Sequence, residues 1–218
     1  MQIGIVAGGP KRYIPELMPF AKSDWIWVGV DRGVYYLLEN GIRPNVAFGD
    51  FDSVTKKEWQ EIQEKVTDLK KYKPEKDETD MELALVWAFK QRPEKVYIFG
   101  ATGGRLDHFL ANIGLLVREE WIHDEIQFEM VDKTNRISVY TPGTYELPRH
   151  SEMKYISFVP VTPIVKEITL KGFKYPLTNK TIRIGSTLCI SNELVEKKGT
   201  FSFSDGILIM IRSRDERL

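Results

Sequence analysis

The first two-thirds of the chain alternate short apolar runs with stretches in which apolar residues recur at helical spacing. Runs from Ile3 to Ala7, Trp25 to Val30, Val46 to Phe48 and Val96 to Phe99 read as buried strands, and Gln127 to Val131 adds one more. Between them, Gly33 to Glu39, Thr55 to Val66, Met81 to Lys90 and His108 to Val117 carry helical spacing. Strands separated by helices predict a mostly parallel sheet covered on both faces. Past about Tyr140 the pattern changes. Pro142, Pro148, Pro160, Pro163 and Pro176 punctuate short alternating runs such as Tyr155 to Val159 and Phe201 to Ser204. Strict alternation with no helical period predicts a small antiparallel β unit. The expected fold is therefore an α/β N-terminal domain over residues 1–140, followed by a smaller antiparallel β domain over residues 141–218.

Composition narrows this picture in three places. Apolar residues make up 42% of the 218, enough for a substantial core. Basic and acidic residues balance at 31 each, which argues against a nucleic-acid binder, because neutralising a phosphate backbone takes a basic excess. Cys189 is the single cysteine and falls in an alternating run, so it reads as buried core. No apolar stretch reaches membrane-spanning length, and the N-terminal residues read as a first strand. The expected location is the cytoplasm, with no membrane partner.

The candidate chemistry lies in the placement of the aspartates. Asp50 and Asp52 stand two apart after a predicted strand, and Asp31 follows another strand directly. In an open α/β sheet, ligands bind beyond the carboxyl ends of the strands. Asp77 and Asp80 flank a helix start where Thr79 and Glu82 have capping-box spacing, and Asp107 opens the next helix. Aspartate also serves as an ordinary turn and capping residue, which accounts for Asp77 or Asp107 singly. Asp50 and Asp52 are different, because two carboxylates at ~4 Å repel by about 4 kcal/mol at an effective dielectric near 20. A divalent cation relieves that crowding, and magnesium suits an all-oxygen ligand set.

The segment Gly100-Ala101-Thr102-Gly103-Gly104-Arg105 links a predicted strand to a helix. Backbone N–H groups there can approach an anion, the helix N-terminus adds positive potential, and Arg105 can grip phosphate oxygens with two nitrogens. His108 and Asn112, four apart, share one helix face. No P-loop, no G-x-G-x-x-G after the first strand and no G-x-S-x-G is present, and three histidines with one cysteine make a zinc site improbable.

At these residues the chain resembles the thiamine pyrophosphokinase family. The matching segments are Gly49-Asp50-Phe51-Asp52-Ser53, Asp77-Glu78-Thr79-Asp80 with Ala84-Leu85, and Gly103-Gly104-Arg105-Leu106-Asp107-His108 with Asn112. Leu170 to Leu177 and Ser191-Asn192-Glu193 are similar to the family's C-terminal signatures. The resemblance implies an α/β nucleotide domain, a C-terminal β-sandwich for thiamine binding and dimerisation, and a homodimer. It implies magnesium on Asp31, Asp50, Asp52 and Asp80, and ATP as co-substrate. Gly33, Thr102, Gly103, Gly104, Arg105, Asp107, His108 and Asn112 would serve the nucleotide, and Ser191 and Asn192 would lie by the thiamine. Lys76 stands where animal members carry glutamine and is a candidate phosphate contact. Asp77 is a candidate acceptor for the alcohol proton, which places it with Asp50, Asp52 and Asp80 in the catalytic set. The implied reaction moves pyrophosphate from ATP to the hydroxyl of thiamine. Rival readings are a magnesium-dependent phosphotransferase acting on another small alcohol, and a non-catalytic nucleotide sensor.

Overall fold

The computed structural model describes residues 1–51, 54–66, 68–71, 77–122 and 124–216. They fall into two compact units, Met1–Lys133 and Thr134–Leu218.

In chain order the first unit contains β1 (Gln2–Val6), β2 (Trp25–Val30), α1 (Gly33–Glu39), β3 (Val46–Gly49), α2 (Lys56–Lys65) and β4 (Asp68–Lys71). It continues with α3 (Asp80–Lys90), β5 (Lys95–Phe99), α4 (Leu106–Leu116), α5 (Glu119–Ile122) and β6 (Gln127–Val131). β1 pairs in parallel with β2 on one side and with β5 on the other. Parallel pairing continues outward from β2 to β3 and β4, and from β5 to β6. The chain thus leaves β1 in one direction and later returns to its other flank, which makes the β1/β5 edge a topological switch point. Neighbouring residues of β3 show how the sheet is covered. Ala47 joins a core with Val34 of α1 and Ile62 of α2, whereas Phe48 meets Trp87 of α3 at 6.3 Å. Because successive strand residues point to opposite faces, α1 and α2 cover one face and α3 the other.

Local chemistry explains where the helices begin. Thr55 caps α2 in a full capping box: its side chain accepts the Glu58 N–H, and Glu58 accepts the Thr55 N–H at 2.6 Å. Thr79 caps α3 by accepting the Glu82 N–H at 3.1 Å, but the Glu82 carboxylate is drawn to Arg118 at 2.5 Å. The expected box at α3 is therefore half formed. β4 leaves no signal in the sequence, because Asp68-Leu69-Lys70-Lys71 has no apolar run; among the described residues it pairs only with β3, and charge is tolerated on such an edge.

The second unit contains β7 (Asn135–Tyr140), β8 (Gly143–Pro148), β9 (Tyr155–Pro160), β10 (Ile164–Lys171), β11 (Leu177–Arg183), β12 (Asn192–Glu193), β13 (Lys198–Phe203) and β14 (Leu208–Ser213). β14 pairs antiparallel with β7 and β9, and β9 with β12. β10 pairs antiparallel with β11 and β13, and β13 with β8. The strand pairing of the chain is accordingly mixed, which corrects the expectation of a mostly parallel sheet. Parallel neighbours need long crossover connections, and no described helix follows β6 to supply one. Both antiparallel groups bury side chains in one shared core that includes Phe158, Val165, Leu170, Phe201 and Met210. Phe201 lies at its middle, within 5.0 Å of the Tyr140 and Tyr145 rings and 4.8 Å of Phe158.

Cys189 belongs to this core, and burial pushes its thiol up to about 11. A thiol held protonated and enclosed is a poor nucleophile. Cys189 should therefore resist a disulfide-exchange colour reagent in the native protein and react fully in denaturant. Rapid native labelling would contradict the burial.

Candidate active site

All strands of the first unit run parallel, so β1, β2, β3, β5 and β6 end on one rim. The candidate residues of this unit are carried by the segments that leave that rim.

Asp31 follows β2, and its N–H donates to the Phe48 carbonyl of β3 at 2.9 Å. Its backbone takes a left-handed conformation at φ 51°, and the Asp31 carbonyl then accepts the Val34 N–H at the start of α1. That turn drives the carboxylate toward the end of β3. An ideal Cβ on Gly49, whose φ is +147°, would lie 2.3 Å from Asp31 Oδ1. Glycine at 49 thus leaves the space that the Asp31 carboxylate occupies, and Asp50 is the next residue. The Asp31 carboxylate thus lies against the backbone just before Asp50; Asp52 lies outside the described residues, as does Lys76. Gly33 presses its Cα against the Val6 carbonyl, where a Cβ would be 1.9 Å away, so α1 starts in contact with the end of β1.

Asp80 is the first residue of α3 and Asp77 is exposed just before it. Since β4 ends at the rim and α3 leads back toward β5, both aspartates lie on the rim side of the fold. Among the described residues, no three of His, Cys, Asp and Glu converge closely enough to hold a metal ion. The described part of the acidic set is Asp31 against Gly49, Asp50 next in the chain, and Asp80 at the start of α3.

The glycine-rich segment follows β5 and is built against the end of β1. The Gly9 N–H donates to the Gly100 carbonyl at 2.9 Å, and a Cβ on Gly9 would come within 2.2 Å of that oxygen. At Gly103, φ is +74° and a Cβ would meet the Tyr13 ring at 2.1 Å. Thr102 is buried, and its hydroxyl donates to Asp132 Oδ2 at 2.8 Å. This bond ties the loop after β5 to the residue after β6. Gly104 and His108 are exposed, and Asn112 is buried in α4.

Arg105 and Asp107 form a two-pronged pair at the start of α4, Nε to Oδ1 at 3.1 Å and Nη2 to Oδ2 at 2.6 Å. Asp107 also accepts the His108 N–H at 2.9 Å. The Arg105 guanidinium first, and that N–H second, hold the Asp107 carboxyl down at about 2. Arg105 is thus oriented at a helix N-terminus by an internal carboxylate, and an incoming phosphate would compete with Asp107 for it.

Sequence reasoning passed over three residues here. Asp132, 5% exposed, follows β6 directly, the same signal that singled out Asp31. Gly9 carries no local signal, because its close approach to the end of β5 depends on long-range pairing. Arg32 donates to Glu58 Oε1 at 2.9 Å and so ties the Asp31 turn to α2. The Thr55 N–H and then Arg32 hold Glu58 below the usual carboxylate range.

In the second unit, Asn192 is 2% exposed, and its side chain is consumed internally. It accepts the Tyr175 N–H at 3.0 Å and donates to the Tyr175 carbonyl at 2.8 Å. Ser191 beside it is exposed, has φ 56°, and donates its N–H to the Ser157 hydroxyl at 2.9 Å. Asn192 shapes this loop, while Ser191 presents its hydroxyl outward.

Residues 17–129 match the family model for the thiamin pyrophosphokinase catalytic domain, and residues 144–208 match that for the thiamin pyrophosphokinase vitamin B1 binding domain. A thiamine pyrophosphokinase of Bacillus subtilis (strain 168) is 50% identical over 213 residues, covering 98% of this chain and 99% of that protein. A crystal structure of the Bacillus subtilis enzyme superposes with a TM-score of 0.92 at 48% identity, over 99% of this chain and all of the other. The thiamin pyrophosphokinase of Candida albicans, 16% identical, shares the fold at a TM-score of 0.80 over 98% of this chain and 90% of its own.

The Arg105–Asp107 pair yields a pH prediction. A carboxyl depressed in the folded state favours folding above its ordinary titration range, and that contribution is lost as pH falls through about 2. Carboxyl NMR titration should place Asp107 near that value, and Arg105→Ala should return it toward about 3.9. An unchanged midpoint in the variant would show that Arg105 does not hold Asp107 in solution.

Proposed function

The chain belongs to the thiamine pyrophosphokinase family, and from that premise we propose how its own residues carry the reaction. The enzyme transfers pyrophosphate from ATP to the hydroxyl of thiamine, giving thiamine diphosphate and AMP. Full-length identity at 50% does not favour another acceptor alcohol or a non-catalytic sensor.

The observation that supports the site most directly is the Asp31 carboxylate lying where a Gly49 side chain would be, next to Asp50. Carboxylates carried at the ends of two adjacent strands suit a hard divalent cation. Asp31, Asp50, Asp52 and Asp80 would hold magnesium. Bound there, the ion supplies neutralisation of the charge on phosphate oxygens.

The remaining work falls to positioning. Backbone N–H groups of the segment from Thr102 to Gly104, together with the N-terminus of α4, would cradle the triphosphate. Arg105 would turn from Asp107 to a phosphate, and Lys76 would add a second cation. Gly33 would let the nucleotide approach the start of α1, with His108 and Asn112 on the α4 side. The thiamine hydroxyl would attack the β-phosphorus and lose its proton to Asp77. Ser191 and Asn192 of the second unit would lie by the thiamine, Asn192 by shaping the loop and Ser191 by direct contact. Residues 1–140 would then serve nucleotide and metal, and the β-sandwich over residues 141–218 would serve thiamine and dimerisation. A homodimer in the cytoplasm completes the proposal; no described helix is long and apolar enough to cross a membrane.

Incubation with ATP, magnesium and thiamine should yield AMP and thiamine diphosphate in equal amounts. ADP as the sole nucleotide product would overturn the reaction. Asp50→Asn should lose activity by about a hundredfold or more, as expected when an electrostatic catalytic group is removed, with little change in melting temperature. An unfolded variant would mean that the turn is structural.

A further inference from the structure

The antiparallel unit contains a cavity of about 610 Å³ lined by Arg149, His150, Lys154, Lys197, Arg212 and Glu193, with an apolar floor of Met153, Ile156 and Leu194. Among these described residues four are cationic and one is a carboxylate. None of its residues has a role in the reaction proposed above.

Strand alternation shows why the cavity is unusual. Leu208 and Met210 of β14 point into the shared core, so Arg212 is the next inward position. Ile156 and Phe158 of β9 also point inward, whereas Lys154, just before that strand, is exposed and pairs with Glu193 at 3.3 Å. An apolar side chain is expected at the Arg212 position, yet the sequence places a cation there. Arg212, 8% exposed, stands directly opposite Arg136 on β7 and opposite Ile156 on β9.

The neighbouring groups sharpen the chemistry. His150 accepts the N–H groups of Glu152 at 3.2 Å and Met153 at 3.1 Å through Nδ1, leaving Nε2 as the donor. Burial, then Arg136, Arg212 and Arg214, push its pKa below the ordinary value against the opposing effect of Glu152, so positive potential is concentrated here. Glu193 is engaged by Lys154 and Lys174, each at 3.3 Å. The Arg149 N–H donates to the Lys197 carbonyl at 2.9 Å, which holds the two exposed cations of the rim side by side.

We propose that this end of the antiparallel unit binds a small organic phosphate ester, its phosphate on Arg212, Arg149 and Lys197 and its organic body against Met153, Ile156 and Leu194. Guanidinium groups match phosphate oxygens with two parallel hydrogen bonds, and the cavity is of the size that takes a small molecule. The apolar floor distinguishes the ligand from a bare inorganic anion.

The test is calorimetric titration of the full chain at low salt with thiamine diphosphate, AMP and inorganic pyrophosphate. The wild type should bind one ester at two sites per chain. Arg149→Ala with Lys197→Ala, both exposed positions, should keep the melting temperature and turnover but weaken the second site tenfold or more. Lys197→Glu should weaken it further. Tighter binding of thiamine diphosphate would support a diphosphate ester as occupant, and tighter binding of AMP a nucleotide. Isotherms unchanged by these substitutions would overturn the proposal, as would inorganic pyrophosphate binding as tightly as either ester. Turnover is read separately, so a failure here leaves the reaction assigned to the first unit untouched.

Discussion

β1 pairs in parallel with β2 on one flank and β5 on the other, and its buried N–H and C=O groups are satisfied by those two ladders. Breaking either ladder would leave several buried polar groups without partners at about 1–3 kcal/mol each. Parallel direction has a functional consequence. It brings the ends of strands distant in sequence to one rim, where Asp31, Asp50, Gly100 to Asp107 and Asp132 emerge. The rim is also where helices start, so helix N-termini face the same side as the carboxylates. An anionic triphosphate needs helix N-termini and backbone N–H groups gathered on one side, and parallel pairing supplies that arrangement.

Close backbone approach then refines the rim. Gly9 against Gly100 and Gly49 against the Asp31 carboxylate leave no room for a Cβ. Larger residues at these points would separate the strand ends and move the polar groups they carry. The Thr102–Asp132 hydrogen bond fixes the glycine-rich loop from its other side. Rigid walls of this kind suit phosphoryl-type transfer, where catalysis rests on placement and charge.

The antiparallel unit follows a different logic. Its core is apolar around Phe201 and gives way at one end to the buried guanidinium of Arg212. Arg212 continues the alternation of Leu208 and Met210 but changes its chemistry. This departure from the core pattern sets the basic cavity apart from the rest of the unit.

Much of this organisation is legible in the residue pattern. Apolar runs followed by aspartate, glycine pairs before a helix, and the change to strict alternation near Tyr140 identify the α/β unit, its acidic positions and the antiparallel unit. These signals are local, because strand and helix periods and capping depend on residues a few positions apart. Edge strand β4, whose residues are mostly charged, leaves no such signal. Nor could spacing reveal that Asn192 is consumed by Tyr175, that Arg105 is held by Asp107, or that Arg212 stands opposite Arg136. Those relations depend on register and on which strand ends become neighbours, and they arise only when segments far apart in the chain pair and pack.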